Sequence, residues 1–289
     1  MGRVVVRRDG LSFDVEVGGS VHGEPVLLLH GFPQTAVMWG PLAGGLRDLG
    51  YRTVAPDQRG YSPGARPRGV RAYRLEELAG DAAAFAAEAG GGPVHVIGHD
   101  WGGAVAWSLA TGYPELVRTI TTISGPHLRA YLTAVRRTRQ VLASWYVPLF
   151  QVPGVAERVL DPDSAAGRRR LLRMLRLAGH EAADARRDVA LLDRKALAAG
   201  LAWYRAAALP SPGRRRQGTA AAPALLLWGD RDTAVLRAAV ELSAAYTTGP
   251  SRVDVLTGVT HWAPDQAPDR LLPLIADHLA AHRSGTVPR

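Results

Sequence analysis

Short apolar runs recur along the chain, separated by stretches whose apolar positions repeat every three or four residues. Val4 to Arg8 and Leu11 to Val17 flank Asp9-Gly10, the signal of a tight β-hairpin. Pro25 to His30, Arg52 to Ala55, Val94 to Gly98 and Val117 to Ile123 predict buried strands, with helical spacing between them at Trp39 to Leu49 and Leu75 to Ala89. The same alternation resumes late, as a strand over Ala222 to Trp228, a helix over Ala234 to Tyr246, a strand over Arg252 to Leu256 and a helix over Pro268 to Ala281. Strands that are apolar throughout and alternate with helices predict an α/β fold with a mostly parallel sheet covered on both faces.

The middle of the chain breaks this pattern. It shows several short helical periodicities and no strand, and it is bounded by the breaker clusters Ser124-Gly125-Pro126 and Leu209-Pro210-Ser211-Pro212-Gly213. The expected organisation is a core over residues 1–126, a helical cap over 127–214 and the rest of the core over 215–289. A cap inserted there covers the carboxyl edge of the sheet, where open α/β folds bind ligands.

Charge sharpens this division. The chain carries a net +9, and residues 127–214 hold 16 basic and 7 acidic side chains while the remainder balances 19 against 19. Arg168, Arg169, Arg170, Arg173 and Arg176 interleave with Leu171, Leu172, Met174 and Leu175, the pattern of an amphipathic helix with a solvated basic face. No aromatic or base-reading module accompanies these charges, so nucleic acid is not the expected partner. A chain of 289 residues with 47% hydrophobic and 21% charged residues has the composition of a large globular domain with an insertion. The lack of cysteine excludes disulfides, thiol nucleophiles and thiolate metal sites. The apolar run near the N-terminus is too short for a signal peptide and no run is long enough to span a membrane, so the expectation is a cytoplasmic enzyme; oligomeric state is not legible.

The most informative segment is Gly98-His99-Asp100-Trp101-Gly102-Gly103. It joins the strand ending near Gly98 to an Ala-rich helix beginning at Trp101, so Asp100 falls on a sharp strand-to-helix turn where a serine hydrolase carries its serine. Gly98 and Gly102 let neighbouring backbone pass close to that turn. An aspartate, with a reference pKa of about 3.9, is already anionic at neutral pH and needs no base to attack an electrophilic carbon. Taken alone, the hexapeptide reads better as a Gly-rich connection in which Asp100 caps the helix; the rest of the chain decides. Gly229-Asp230-Arg231-Asp232 follows one late strand and Thr260-His261-Trp262 follows the next, in the order nucleophile, acid, histidine. A neutral imidazole is the natural base for the water that would hydrolyse an ester on Asp100, and a carboxylate on its other nitrogen fixes the tautomer. His30-Gly31-Phe32-Pro33 lies where such folds place an oxyanion-stabilising amide, which assigns the N–H groups of Phe32 and Trp101 to that task and makes Phe32-Pro33 a candidate cis bond.

These motifs, with Asp57-Gln58-Arg59-Gly60-Tyr61-Ser62, resemble the α/β-hydrolase fold epoxide hydrolases over nearly the whole chain. Most of them are shared with related dehalogenases. Two cap segments are more specific: Trp145-Tyr146 followed by Phe150-Gln151-Val152-Pro153-Gly154-Val155-Ala156-Glu157, and Leu201-Ala202-Trp203-Tyr204-Arg205. The resemblance implies that Tyr146 and Tyr204 hydrogen-bond an epoxide oxygen, that Asp232 rather than Asp230 is the triad acid, and that Asp57 and Arg59 pin loops. Opening an epoxide releases an alkoxide, which independently calls for proton donors. Trp145, Phe150, Trp203 and Trp262 are the expected walls of an apolar pocket. The implied reactants are a small-molecule epoxide and water, with no metal or cofactor. Thr260 and Ala263-Pro264 depart from the family pattern around the histidine and leave the path of that loop open. The alternatives are a dehalogenase with the same nucleophile and a catalytically silent ligand-binding protein. Haloalkane dehalogenases carry asparagine where this chain has Phe32, and fluoroacetate dehalogenases carry arginines where it has Trp101 and Ala104. A serine esterase is poorly supported, since no Gly-x-Ser-x-Gly occurs.

Overall fold

The computed structural model describes residues 2–90, 92–210 and 218–283. Eight strands form one sheet among the described residues: β1 (Gly2–Arg8), β2 (Leu11–Gly18), β3 (Pro25–Leu29), β4 (Arg52–Pro56), β5 (Val94–His99), β6 (Val117–Ile123), β7 (Ala224–Gly229) and β8 (Ser251–Leu256). Their spatial order is β1-β2-β4-β3-β5-β6-β7-β8. The first two strands form the expected hairpin, with Asp9 and Gly10 both at positive φ, as a two-residue turn of this kind requires. β2 joins β4 antiparallel, and every later pairing is parallel.

Alternation along β3 shows how the sheet is buried on both faces. Leu27 and Leu29 pack with α2 (Leu75–Glu88) and α3 (Trp101–Gly112), whereas Val26 and Leu28 face α1 (Gly40–Asp48) and, beyond the sheet, α13 (Pro268–Ala280). All four are fully buried, and burying a side chain of this size contributes roughly 1.5–3 kcal/mol. The carboxyl ends of β3, β5, β7 and β8 therefore sit on a rigid layer, and the loops leaving them hold their side chains in fixed positions.

Between β6 and β7 the described chain is wholly helical: α4 (Leu128–Arg137), α5 (Gln140–Ala143), α6 (Val147–Gln151), α7 (Val155–Val159), α8 (Ala165–Leu177), α9 (Ala182–Leu191) and α10 (Arg194–Ala207). α8 is the amphipathic helix expected from the arginine pattern, with Leu171 and Leu175 buried and Arg169, Arg170 and Arg173 exposed. The predicted end of the cap at Arg214, with Ser211, Pro212 and Gly213, lies outside the described residues. No helix among those described is long and apolar enough to cross a membrane.

After β7 the sequence pattern overreaches. The helix expected from Ala234 begins only at Arg237, as α11 (Arg237–Ser243), and short α12 (Ala263–Gln266) precedes α13. The amides of Ala234 and Val235 are taken by the Asp232 carboxylate and that of Leu236 by the side chain of Gln140, and Leu236 is held extended at φ −84° and ψ 154°, so the helix starts only after it.

Candidate active site

Asp100 occupies the turn between β5 and α3 at φ 52° and ψ −119°. A non-glycine residue in this region carries strain on the order of 1–3 kcal/mol, held here by the packed elements on either side. The flanking glycines are required by contact: a Cβ on Gly98 would run into the backbone of Gly102, and one on Gly102 would strike the carbonyl of Leu29. The turn thereby projects the Asp100 carboxylate beyond the sheet edge towards the cap.

One carboxylate oxygen is already held. Phe32 N–H donates to Asp100 Oδ1 at 2.9 Å, and the Phe32-Pro33 peptide is cis. The loop carrying Phe32 is fixed from behind: Gln58 N–H donates to His30 Nε2 at 3.0 Å and Gln58 Nε2 donates to the His30 carbonyl at 2.6 Å. Asp57 accepts from the Ala36 amide and Arg59 forms a two-point pair with buried Asp81, so both hold loops, as expected.

Asp232 and His261 converge on Asp100. His261 Nδ1 lies 2.9 Å from Asp232 Oδ2, and His261 Nε2 lies 3.7 Å from Asp100 Oδ2. Asp232 Oδ1 accepts from the Ala234 and Val235 amides at 2.8 and 2.9 Å, which leaves Oδ2 for the imidazole. Asp230 points elsewhere and accepts from the Gly258 amide. Thr260, one of the departures from the family pattern, donates its amide to Gln266 Oε1 at 2.8 Å, and the loop still delivers His261 to the site.

Electrostatics follow from this convergence. Burial works to lower the His261 pKa, but Asp232 and Asp100 outweigh it and push the imidazole up to about 10. Burial works to raise Asp100, yet the nearby His261 and its charge, with His99 and the Trp101 amide, hold its carboxyl below the usual range. The resting site is thus an imidazolium between two carboxylates. Neighbouring His99 is pulled down to about 4 by burial and by His261, and its Nε2 donates to the His261 carbonyl at 2.9 Å.

Two chambers meet at Asp100 beneath the cap. The larger, about 260 Å³, runs past Phe32, Trp145, Phe150, His261 and Trp262. The smaller, about 160 Å³, runs past Trp101, Leu128, Tyr131 and Val147. Tyr146 and Tyr204 line both, with ring centroids 6.3 Å apart. Burial raises both phenols well above their ordinary range, so each keeps its proton. A two-point ion pair between Glu157 and Arg205, at 2.6 and 3.0 Å, ties the segment after Tyr146 to the helix that carries Tyr204.

Trp145, Phe150 and Trp262 line the larger chamber. Trp203 does not. Its indole is fully buried, donates to the Arg59 carbonyl at 3.0 Å and packs edge-on to Tyr61 and Trp101, so it braces the cap against the core. Sequence reasoning missed Tyr131 and Gln140. Tyr131 lines the smaller chamber with its hydroxyl 2.7 Å from Ser144 Oγ, and Gln140 is buried on a short helix whose pattern gave no sign of it.

Similarity to known proteins agrees with this geometry. Residues 24–268 match the family described as the alpha/beta hydrolase fold. An AB hydrolase superfamily protein of Bacillus subtilis (strain 168) is 31% identical, with 95% of this chain and 96% of that one covered. Epoxide hydrolase A of Mycobacterium tuberculosis is 27% identical, covering 95% and 96% of the two chains. The crystal structure of epoxide hydrolase A from Mycobacterium thermoresistibile superposes with a TM-score of 0.82 at 26% identity, covering 98% of this chain and 99% of that one. With its matched span, its sheet order and its aspartate on the strand-to-helix turn, this chain belongs to the α/β-hydrolase fold family.

Proposed function

We propose that this protein is an epoxide hydrolase that opens an epoxide to a vicinal diol through an ester on Asp100. The observation that carries this reading is the pair of protonated phenols, half-buried Tyr146 and buried Tyr204, which share both chambers with the Asp100 carboxylate. An Asp100 oxygen attacks one epoxide carbon, the C–O bond to that carbon breaks, and the freed alkoxide takes its proton from the two phenols. Alkylation removes the negative charge of Asp100, and with it one of the two carboxylates that hold the His261 proton. His261 then gives that proton up to the phenolate left by ring opening and becomes the base for water, with Asp232 fixing its orientation.

Water attacks Asp100 Cγ, giving a proton to His261 Nε2. The oxyanion that forms is stabilised by the amides of Phe32 and Trp101. Collapse expels the diol oxygen, which takes the proton still held by the added hydroxyl, so Asp100 is again a carboxylate and His261 an imidazolium. Epoxide and water are consumed, one diol is formed, and the enzyme returns to its starting charge. No metal or cofactor enters the sequence.

Two apolar chambers on either side of the nucleophile favour an epoxide with an apolar substituent at each end. The test is a panel of terminal and internal aryl and alkyl epoxides, with alkyl halides alongside, scored for diol and for halide release. Diol formation with internal epoxides and no halide release is expected. Halide release without diol would replace this reading with a dehalogenase.

A further inference from the structure

The segment leading to Tyr146 and the loop carrying Asp232 are joined by one buried side chain. Gln140, the first residue of α5, is fully buried. Its Nε2 donates to the Ala234 carbonyl at 2.7 Å and to Ser144 Oγ at 3.1 Å, and its Oε1 accepts from the Leu236 amide at 2.7 Å. The orientation of this amide is fixed by its partners, since the Leu236 N–H only donates and the Ala234 carbonyl only accepts.

The same short loop is held from the other side by the triad acid, whose Oδ1 accepts from the amides of Ala234 and Val235. Asp232 and Gln140 thus share the polar groups of three consecutive residues. α5 spans only four residues, too few to be rigid through its own hydrogen bonds, so contact with the loop also fixes this part of the cap. Through Ser144 Oγ the network continues to the Tyr131 hydroxyl, 2.7 Å away at the wall of the smaller chamber.

We propose that Gln140 is a positioning residue: it clamps the Ala234–Leu236 loop to the cap, so that Asp232 Oδ2 stays aimed at His261 Nδ1 while the segment running on to Tyr146 keeps a fixed place above it. This rests on the hydrolase reading only in giving the Asp232–His261 pair a role in turnover. Without the Gln140 amide, the Ala234 carbonyl and the Leu236 N–H, both on half-buried residues, lose their partners together. The loop must then move, and the Asp232 carboxylate that is bonded to its amides moves with it. Asp100 and His99, the other groups facing His261, keep their places.

The test replaces Gln140 by Met, which has nearly the same length and no hydrogen-bonding capacity, and by Asn, which keeps the amide on a shorter arm. Ser144→Ala is the control that leaves both loop bonds intact. His261 is followed by NMR titration in the full-length protein, together with single-turnover rates for alkylation and ester hydrolysis. Gln140→Met is expected to lower the His261 pKa by about one unit or more, since the nearest carboxylate is no longer held against it. Ester hydrolysis should slow roughly tenfold to a hundredfold, as expected for a displacement of about 1 Å, with alkylation less affected. Gln140→Asn should shift both in the same direction by less, and Ser144→Ala should leave His261 unchanged. If His261 titrates as in the wild type in both the Asn and Met variants, Gln140 is an ordinary buried polar residue and the proposal is overturned. If the wild-type protein turns over no epoxide, the functional reading fails, and the titration still decides the clamp.

Discussion

The indole of Trp262 lies flat on the imidazole of His180, with ring centroids 4.0 Å apart and planes 7° from parallel. The stack joins the residue after His261 to the cap. On its cap side His180 Nε2 lies 2.8 Å from Asp188 Oδ2, which also accepts from Gln34 of the core at 3.0 Å. His180→Ala should remove the stacking partner and leave Asp188 with an unfilled bond, at a cost of about 2–5 kcal/mol. Urea denaturation measures this directly, and wild-type stability in the variant would show that the stack carries no load.

Removing the base should separate the two half-reactions. His261→Gln leaves Asp100 able to attack but without a base for water, so an adduct of substrate mass should accumulate on Asp100 in intact-protein and peptide mass spectrometry. Asp100→Ala should form no adduct and show no turnover. If water attacks Asp100 Cγ, as proposed, a single turnover in heavy-oxygen water should place the label in the Asp100 carboxylate and not in the diol. Label in the first diol formed would mean direct attack of water on the epoxide.

The lid phenols distinguish the epoxide reading from its nearest rival. Tyr146→Phe and Tyr204→Phe should each slow alkylation while the other phenol compensates in part. The double variant should lose more, since one oxyanion donor is typically worth about 2.7–4 kcal/mol, a hundredfold or more in rate. Ester hydrolysis should change far less. A dehalogenase would keep halide release without either hydroxyl, because halide leaves without a proton.

The imidazolium between two carboxylates gives a defined pH signature. The folded-state pKa of His261, about 10, lies above the ordinary value of 6.5, so its stabilising contribution is complete below about pH 6.5 and is lost as pH rises towards 10. Wild-type stability measured by urea unfolding should therefore decline across that window relative to His261→Gln, in which the decline should be reduced. Equal slopes in the two proteins would show that the charge pairing does not stabilise the fold. Alkylation should stay level across neutral pH, since Asp100 is held below the usual carboxylate range and remains anionic.

Much of this site was legible because its parts are local. The glycines around Asp100 sit two residues away on each side, and a contact the chain makes with itself at that distance leaves a spacing that can be read. Asp232 and His261 end adjacent strands, so the parallel topology alone brings them to one edge. What escaped was set from far along the chain. The loop ahead of α11 is held in part by a side chain 96 residues earlier, through the Gln140 bond to Leu236. Trp203 and Tyr204 are neighbours on α10, and nothing in their order says that the tyrosine lines the chambers while the tryptophan braces the core. Gln140 itself reads as a polar residue on a short helix, and such a residue is by default on the water side.

In the proposed epoxide reading, the meeting of two unequal chambers at Asp100 would have a consequence for regiochemistry. A substrate seated across the junction presents its two ring carbons side by side, and a small slide along the tunnel exchanges one for the other in front of the carboxylate. A tenfold preference between them needs only about 1.4 kcal/mol. That is less than the burial of a single leucine side chain, so the balance between the two products is set by how each arm of the substrate fills its chamber. Wall residues remote from the reacting atoms, such as Leu128 and Val147 in the smaller chamber or Met174 and Leu177 in the larger, become the dial for product identity. Changes there can reverse which carbon is attacked while leaving the nucleophile, base and phenols untouched.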